Sequence, residues 1–400
     1  MMQLPNVATQ YDSFKLGGGL DELTPTLSLQ AGACRRAVNF ECSITGGYSR
    51  IQGYERYDGH ARPSDAVYLV LTCTITGAVA VGDTVTGGTS AATGKVIARS
   101  GSDVVITRQT GTFVTSETVL VAAASQGTIT GISGAVSDGL TDATYTNLAA
   151  DDYRASIAAV PGSGSVLGLC YYADKLYAFR NNAGATAAEM YVQSASGWAL
   201  VSFNEEIAFS NANTSVGQGD TLTQGGVTAV IRRLVITTGT LASGVNTGRM
   251  IITGRGGGSF AAGAATSTGA GALTLSGAEA AVTLLPGGRF RCVVGNFGAG
   301  AASKSMYGAD GVNRAFEFDG TYFVPIATGM TTDTPKLIAV HKQHLFLTFG
   351  YSLQFSGVGS PFAWSPVVGA GEIGMLDDIT NLQILPGDQT SGALAVFTTR

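Results

Sequence analysis

Charge is what this chain has least of: only 13% of its 400 residues are Asp, Glu, Lys or Arg, about half the share of an ordinary soluble domain. Proline is scarce at ten residues and histidine at three. No apolar run reaches the length of about 18 residues that a membrane-crossing helix needs, so no transmembrane segment is expected. The opening MMQLPNVATQYDS has no basic stretch leading into an apolar one, which argues against a secretory signal. The cationic pairs Arg35-Arg36 and Arg232-Arg233 are too short to line a groove, and the net charge is −5. Stable nucleic-acid binding, which draws on clustered Lys and Arg to release counterions, is therefore not expected. The five cysteines, Cys34, Cys42, Cys73, Cys170 and Cys292, are odd in number, widely spaced and lack a CxxC. That pattern argues against a disulfide framework and against a zinc site. It predicts five reduced thiols, mostly small hydrophobes in strands, in a protein made in a reducing cytoplasm.

Glycine, by contrast, is abundant at 56 residues, and apolar residues make up 45%. So apolar a chain can bury enough surface to offset its ordering entropy, which excludes disorder. The glycines have no three-residue period, which excludes collagen. Short Val/Ile/Thr/Tyr/Phe runs divided by Gly, Asn, Asp and Ser clusters predict strands nearly everywhere. One short helix is expected at Asn147–Ala159, capped by Thr146 or Asn147, with Asp151 and Asp152 near its positive end and Pro161-Gly162 as its stop.

A four-strand pattern recurs after that helix. Strands are expected at Val166–Tyr171, Lys175–Arg180, Met190–Gln193 and Trp198–Phe203, with a turn at Ala173-Asp174. A second set is Phe290–Val294, Ser305–Tyr307, Arg314–Phe318 and Thr321–Ile326, with a tight Asp319-Gly320 turn that calls for positive φ at both residues. A third set runs Lys336–Pro366 as LIAV, HLFLTF, SLQFS and FAWSP, and a fourth begins at Ile379–Leu385 and Ala393–Thr399. Units of about 40–50 residues with four strands each are the spacing of β-propeller blades. About three and a half blades are countable, fewer than the roughly four to eight of a closed ring. Strands near Ala37–Phe40 and Ser49–Arg56 are expected to complete one blade. Tyr177, Phe179, Phe316, Phe318, Phe346 and Phe349 are expected to fill the space between blades.

Two segments interrupt this rhythm and resemble each other: VGDTVTGGTSAATGKVIA in the first, QGDTLTQGGVTAVIRRLVIT in the second. Asp83 matches Asp220, and Phe113 matches Phe260. The fold class expected is therefore all-β: propeller-like blades, an incomplete ring, with two related inserted β-barrel or sandwich domains and one short helix. The division is 1–66 for the N-terminal segment and first propeller strands and 67–137 for the first insert. The helix and a blade take 138–206, the second insert 207–285, and further blades 286–400.

Chemistry is hard to find. His341 and His344 form an HxxH at a hairpin turn, where strand positions three apart face opposite ways unless the turn folds them together. The pairs Asp151-Asp152, Glu205-Glu206 and Asp377-Asp378 sit at element boundaries, where solvated charge is normal. The glycine clusters Gly254–Gly258 and Gly162–Gly168 lack phosphate-loop spacing and read as loop tips or linkers. No GxSxG occurs. Asp83 and Asp220 supply one carboxylate per turn, short of the oxygens that calcium takes, and read as turn formers. No catalytic, cofactor-binding or metal-binding residue is expected, no cofactor is implied, and the chain is not expected to be an enzyme.

The stretch Gly17–Tyr57 resembles the opening of virion structural proteins of tailed bacteriophages, of the tail-nozzle or tail-tubular type. Gly19-Leu20-Asp21, Gly32, Ala37, Asn39-Phe40, Gly46-Gly47 and Gly53-Tyr54-Glu55 carry the likeness, with a second patch at Tyr153–Asn182. The resemblance implies a homo-oligomeric ring at the tail end, through which DNA passes transiently on ejection. It implies contacts with other tail proteins (adaptor and fibres), assembly in the host cytoplasm and residence in the virion tail. Sparse Lys and Arg suit a conduit that must not hold DNA. Two alternatives remain. A glycan-binding adhesin would use Trp198 and Trp364 as sugar platforms, and a polysaccharide-degrading propeller enzyme would need a convergent Asp/Glu/Tyr/Arg cluster.

Overall fold

A computed structural model describes residues 17–42, 47–51, 53–298, 304–386 and 392–399. The chain forms two compact units, Met1–Arg56 and Tyr57–Arg400. In the first, β1 (Gly19–Leu20) runs parallel to β2 (Ala33–Cys34), and β3 (Phe40–Cys42) pairs antiparallel with β4 (Tyr48–Arg50). The Tyr48 hydroxyl donates to the Gly32 carbonyl at 2.7 Å, tying the two pairs together.

The second unit opens with a closed barrel of six strands. These are β5 (Tyr68–Ile75), β6 (Thr84–Gly87), β7 (Thr93–Ser100), β8 (Asp103–Thr110), β9 (Thr118–Val121) and β10 (Ala124–Ser133), in ring order β5-β8-β7-β6-β9-β10. Period-two alternation decides what enters it: Ile129 is fully buried while Thr128 and Thr130 on either side are exposed. Leu71, Val85, Val96, Ile106, Phe113 and Val119 complete the interior.

Helix α1 (Gly139–Ser156) follows. It begins eight residues before the expected start, and its cap is Asp138, whose carboxylate accepts from the Thr141 amide at 2.9 Å. The early turns are rich in threonine and open on glycine, a weak helical stretch. Packing overrides that weakness: Tyr145, Leu148 and Tyr153 lie on Tyr68, Val70, Ile97 and Val105 of the barrel's outer face. Asp152 is consequently in the last turns, ion-paired to Lys95 and Arg108. The helix ends at Ser156 without help from Pro161, and buried Asp58 holds the exit by accepting from the Ala158 amide at 2.8 Å.

Next come β11 (Ser163–Tyr172), β12 (Lys175–Asn181), β13 (Ala188–Ser194) and β14 (Gly197–Leu200), a four-stranded antiparallel meander. The stretch Gly162–Gly168, expected as a loop, largely forms the bulged start of β11. Gly168 is required there, because a Cβ at that position would sit 2.6 Å from Phe290.

The second interruption contains β15 (Glu205–Ser210), β16 (Thr221–Gln224), β17 (Val227–Gly239), β18 (Asn246–Gly256), β19 (Gly263–Ser267) and β20 (Gly271–Leu275). Because β15 pairs with both β18 and β20, the strands form a ring in the order β15-β18-β17-β16-β19-β20, the connectivity of the first barrel. A short β21 (Ala280–Ala281) adds to β15. The matched aspartates make the same turn: Asp83 accepts from the Ala80 amide and Asp220 from the Gly217 amide, both at 2.8 Å. Phe113 and Phe260 are both core residues.

Two further four-stranded meanders follow: β22 (Arg291–Asn296), β23 (Lys304–Ala309), β24 (Phe316–Phe318) and β25 (Phe323–Pro325); then β26 (Ile338–His341), β27 (His344–Phe349), β28 (Ser352–Phe355) and β29 (Gly371–Gly374). A hairpin of β30 (Ile379–Ile384) and β31 (Leu394–Thr398) comes last. The fourth strand of the third meander is Gly371–Gly374 and not FAWSP, which Pro361 and Pro366 keep out of a ladder. At Asp319-Gly320 only the glycine has positive φ, and the Asp319 carboxylate accepts from the Thr321 and Tyr322 amides instead. Among the described residues, two-residue turns with both φ positive occur at Ala122-Ala123, Ala173-Asp174, Gly225-Gly226 and Lys342-Gln343.

Each meander packs face to face on the next. Tyr177, Phe179 and Met190 meet Phe290, Phe316 and Phe318. Tyr307 and Ala309 meet Ile338, Leu345 and Leu347. Leu337 and Leu353 meet Ile379, Leu382 and Val396. Phe346 and Phe349 are partly buried at the last two of these contacts. The first strands of successive sheets lie side by side, β11 with β22, β22 with β26 and β26 with β30. Cys170 on β11 and Cys292 on β22 form a disulfide, contrary to five reduced thiols. Their separation of 122 residues in sequence hides a Cα–Cα distance of 5.9 Å.

Candidate functional site

The second barrel docks on the second meander along a short seam, and the seam has chemistry. Its centre is apolar, Val235 on β17 and Ile251 on β18 against Val324 on β25. An ion pair flanks it on either side. Arg233 donates to Glu317 Oε1 at 2.5 Å, and Arg249 donates to Glu206 Oε2 at 2.6 Å and to the Pro325 carbonyl. Alternation places these cations. In β17, Arg233 and Val235 share the outer face, so one strand supplies both an apolar contact and a charge.

Glu317 is nearly fully buried, and its other oxygen accepts from the Tyr307 hydroxyl at 2.7 Å. Burial pushes the Glu317 carboxyl above its ordinary range, and the Arg233 charge and the Tyr307 hydroxyl pull it back only in part. Burial, and then the Glu317 charge, push the Tyr307 hydroxyl up as well. A cleft of about 400 Å³ lies here, lined by Arg233, Tyr307, Glu317, Asp319 and Phe362 among others. A buried carboxyl raised above its ordinary range beside a tyrosine is a group that can hold or pass a proton. Both carboxylate oxygens, however, already have partners. At the other end of the seam, a wider cavity of about 550 Å³ is lined by Glu206, Leu284, Asn313, Arg314, Phe323 and Asp333 among others. Arg249 lies behind that wall; burial lowers its pKa against the opposing pull of Glu206.

This Arg/Tyr/Glu/Asp convergence could not be read from sequence, because Arg233 and Glu317 are 84 positions apart and only barrel docking brings them together. Of the residues singled out in the sequence, Arg233 and Glu206 fall at this seam, and the histidines and tryptophans fall elsewhere. His341 and His344 face each other as register partners, since the Lys342-Gln343 turn does fold them together. His344 Nδ1 is engaged with the Ser356 carbonyl at 2.5 Å. Among the described residues no group of three His, Cys, Asp or Glu is placed to hold a metal ion. Asp151 pairs with Arg154, Glu205 with Arg255 and Glu206 with Arg249. Trp198 and Trp364 are half-buried against neighbouring clusters. Burial pushes the Cys73 thiol to about 11, which leaves it an unreactive core residue. Among the described residues no helix is long and apolar enough to cross a membrane. No family model, curated protein or solved structure matches the chain.

Proposed function

We propose that the chain is a structural, non-enzymatic part of a bacteriophage tail, of the nozzle or tail-tubular type. In this reading the four-stranded meanders are blades of a propeller-like body and the two barrels project from it. The observation that carries the reading is the side-by-side packing of β11, β22, β26 and β30. Sheets that meet at their first strands and stack through aromatic faces are what blades about an axis would require, which supports the reading. The likeness of Gly17–Tyr57 and Tyr153–Asn182 to tail proteins supports the same reading. So does the low charge, which spares passing DNA from phosphate contacts. The protein would act as a homo-oligomeric ring in contact with adaptor and fibre proteins, assembled in the host cytoplasm and carried in the virion. Electron microscopy of the purified protein tests this: rings with a central hole are expected. Monomers at high concentration, together with absence from virions by mass spectrometry, overturn it.

One observation favours a second reading, action on polysaccharide: Arg233, Tyr307, Glu317 and Asp319 line one cleft. Incubation with capsule and lipopolysaccharide extracts decides it, since no shortening of the polymers removes this reading.

A further inference from the structure

The cavity of about 550 Å³ beside Glu206 lies where three parts of the fold meet. Residues 280–285 form one wall as they leave the second barrel, and residues 327–334 form another on the way from β25 to β26. Both walls are pinned. The Asn313 side chain accepts from the Leu285 amide at 2.6 Å and donates to the Leu285 carbonyl at 3.2 Å. Asp333 ties down the other wall, accepting from the amide and the hydroxyl of Thr328, each at 2.8 Å. A cavity shaped in advance loses little to reordering when a ligand enters.

Its charges decide what fits. The two partners of the buried Arg249, Glu206 and the Pro325 carbonyl, both line the cavity. Arg249 Nε is buried and has no hydrogen-bond partner among the described residues. Burial lowers the Arg249 pKa, Glu206 opposes this, and the charge of Arg314 adds to the lowering, so the two guanidiniums are near enough to repel. Arg314 lines the cavity, is exposed, and among the described residues has no carboxylate or other acceptor on its guanidinium. The carboxylates in the lining are already engaged, Glu206 with Arg249 and Asp333 with Thr328. Each keeps lone pairs for a hydroxyl.

We propose that this cavity binds a carboxylated sugar, its carboxylate on the Arg314 guanidinium and its hydroxyls on Glu206, Asp333 and the threonines of the walls. The planar fork of an arginine matches a carboxylate in two parallel hydrogen bonds. A phosphate, with more negative charge to place, is repelled by the two carboxylates of the same cavity. An apolar ligand finds little surface, because Leu284 and Phe323 are turned into the protein's own core at 4% and 0% exposure. Hydroxyls find more: Thr283, Thr331 and Thr334 line the cavity, and among the described residues none of their side chains is hydrogen-bonded. The volume is within the range of small-molecule sites, about 300–1,000 Å³. The proposal goes beyond the tail reading and is separate from the Arg233 cleft, since it needs neither a ring nor a cleaved bond.

Calorimetric titration of the whole chain with glucuronate, galacturonate and N-acetylneuraminate tests it, with glucose and inorganic phosphate for comparison. At least one of the three acids is expected to bind at least tenfold more tightly than glucose or phosphate. Arg314→Gln should weaken that acid at least tenfold, and Arg314→Lys, which keeps the charge without the fork, by less. Arg314 is exposed, so an unchanged melting temperature is expected and shows that both variants fold. No binding of any of the three acids overturns the proposal. So does an acid held as tightly by Arg314→Gln as by the wild type, or phosphate bound as tightly as the acids. Rings in electron micrographs of a protein that binds no acid leave the tail reading standing without this site, and acid binding by a monomer supports the site while removing that reading.

Discussion

Cys170 and Cys292 join β11 to β22 across 122 residues of chain, most of them occupied by the second barrel. The bond pins the first strands of two stacked meanders where the aromatic faces begin to meet, and it closes the base from which the barrel emerges. A crosslink over so long a loop removes much of the unfolded chain's freedom, on the order of 5 kcal/mol in the chain-entropy account. We expect Cys170→Ser with Cys292→Ser to lower unfolding stability by about 2–5 kcal/mol, and a reductant to do the same to the wild type. Thiol labelling of the unfolded protein gives an independent check, because the five cysteines should show two fewer reactive thiols before reduction than after. Equal labelling in the two states would refute the bond.

Glu117 sets an acid limit on the first barrel. Burial pushes its carboxyl up, but hydrogen bonds from Val114, Ser90 and Thr89 more than offset this and hold it below its ordinary range. A carboxyl lowered by folding adds stability above its unfolded pKa and loses it as pH falls through the folded value. Glu117→Gln should therefore cost stability near neutral pH by about 1–3 kcal/mol. Its difference from wild type should shrink towards about pH 3, as followed by denaturant titration at several pH values. A pH-independent difference would contradict this.

Glu317 has the opposite sign. Its carboxyl is raised by burial, so its contribution to folding is fully present below the unfolded pKa and declines as pH rises through the folded value. Arg233→Met leaves that carboxylate buried without its cation, at a cost of about 3 kcal/mol that should grow as pH rises above the unfolded carboxyl's range. Adding Glu317→Leu should recover most of the loss, since replacing both partners avoids a stranded charge. A double-mutant cycle read by urea unfolding measures the coupling. Additive losses would show that the pair does not hold the seam.

Gly168 is needed for close approach, because a Cβ there would lie 2.6 Å from both the Cβ and the carbonyl oxygen of Phe290. Gly168→Ala should destabilise by about 1–3 kcal/mol through overpacking at the β11–β22 contact. Thermal unfolding checks this. Gly164, by comparison, has open space around it but a φ of +70°, so Gly164→Ala should cost only backbone strain.

Much of the fold is legible in residue order, and the reason is local. Alternating apolar residues and turn chemistry set the meander strands within a few positions, as at Lys175–Asn181 and His344–Phe349. The matched Gly-Asp turns expose the kinship of the two interruptions, because an Asx turn is made by adjacent residues. Strand pairing between distant segments is invisible at that range. The α1 start, the Cys170–Cys292 bond, the meeting of His341 with His344 and the Arg233–Glu317–Tyr307 cluster all depend on which surfaces dock. Docking is decided by burial summed over many residues and not by any short motif. The amino-acid order thus fixed which way each side chain points from its strand, and tertiary packing alone chose its partner, since contact energies reward proximity in space whatever the distance along the chain.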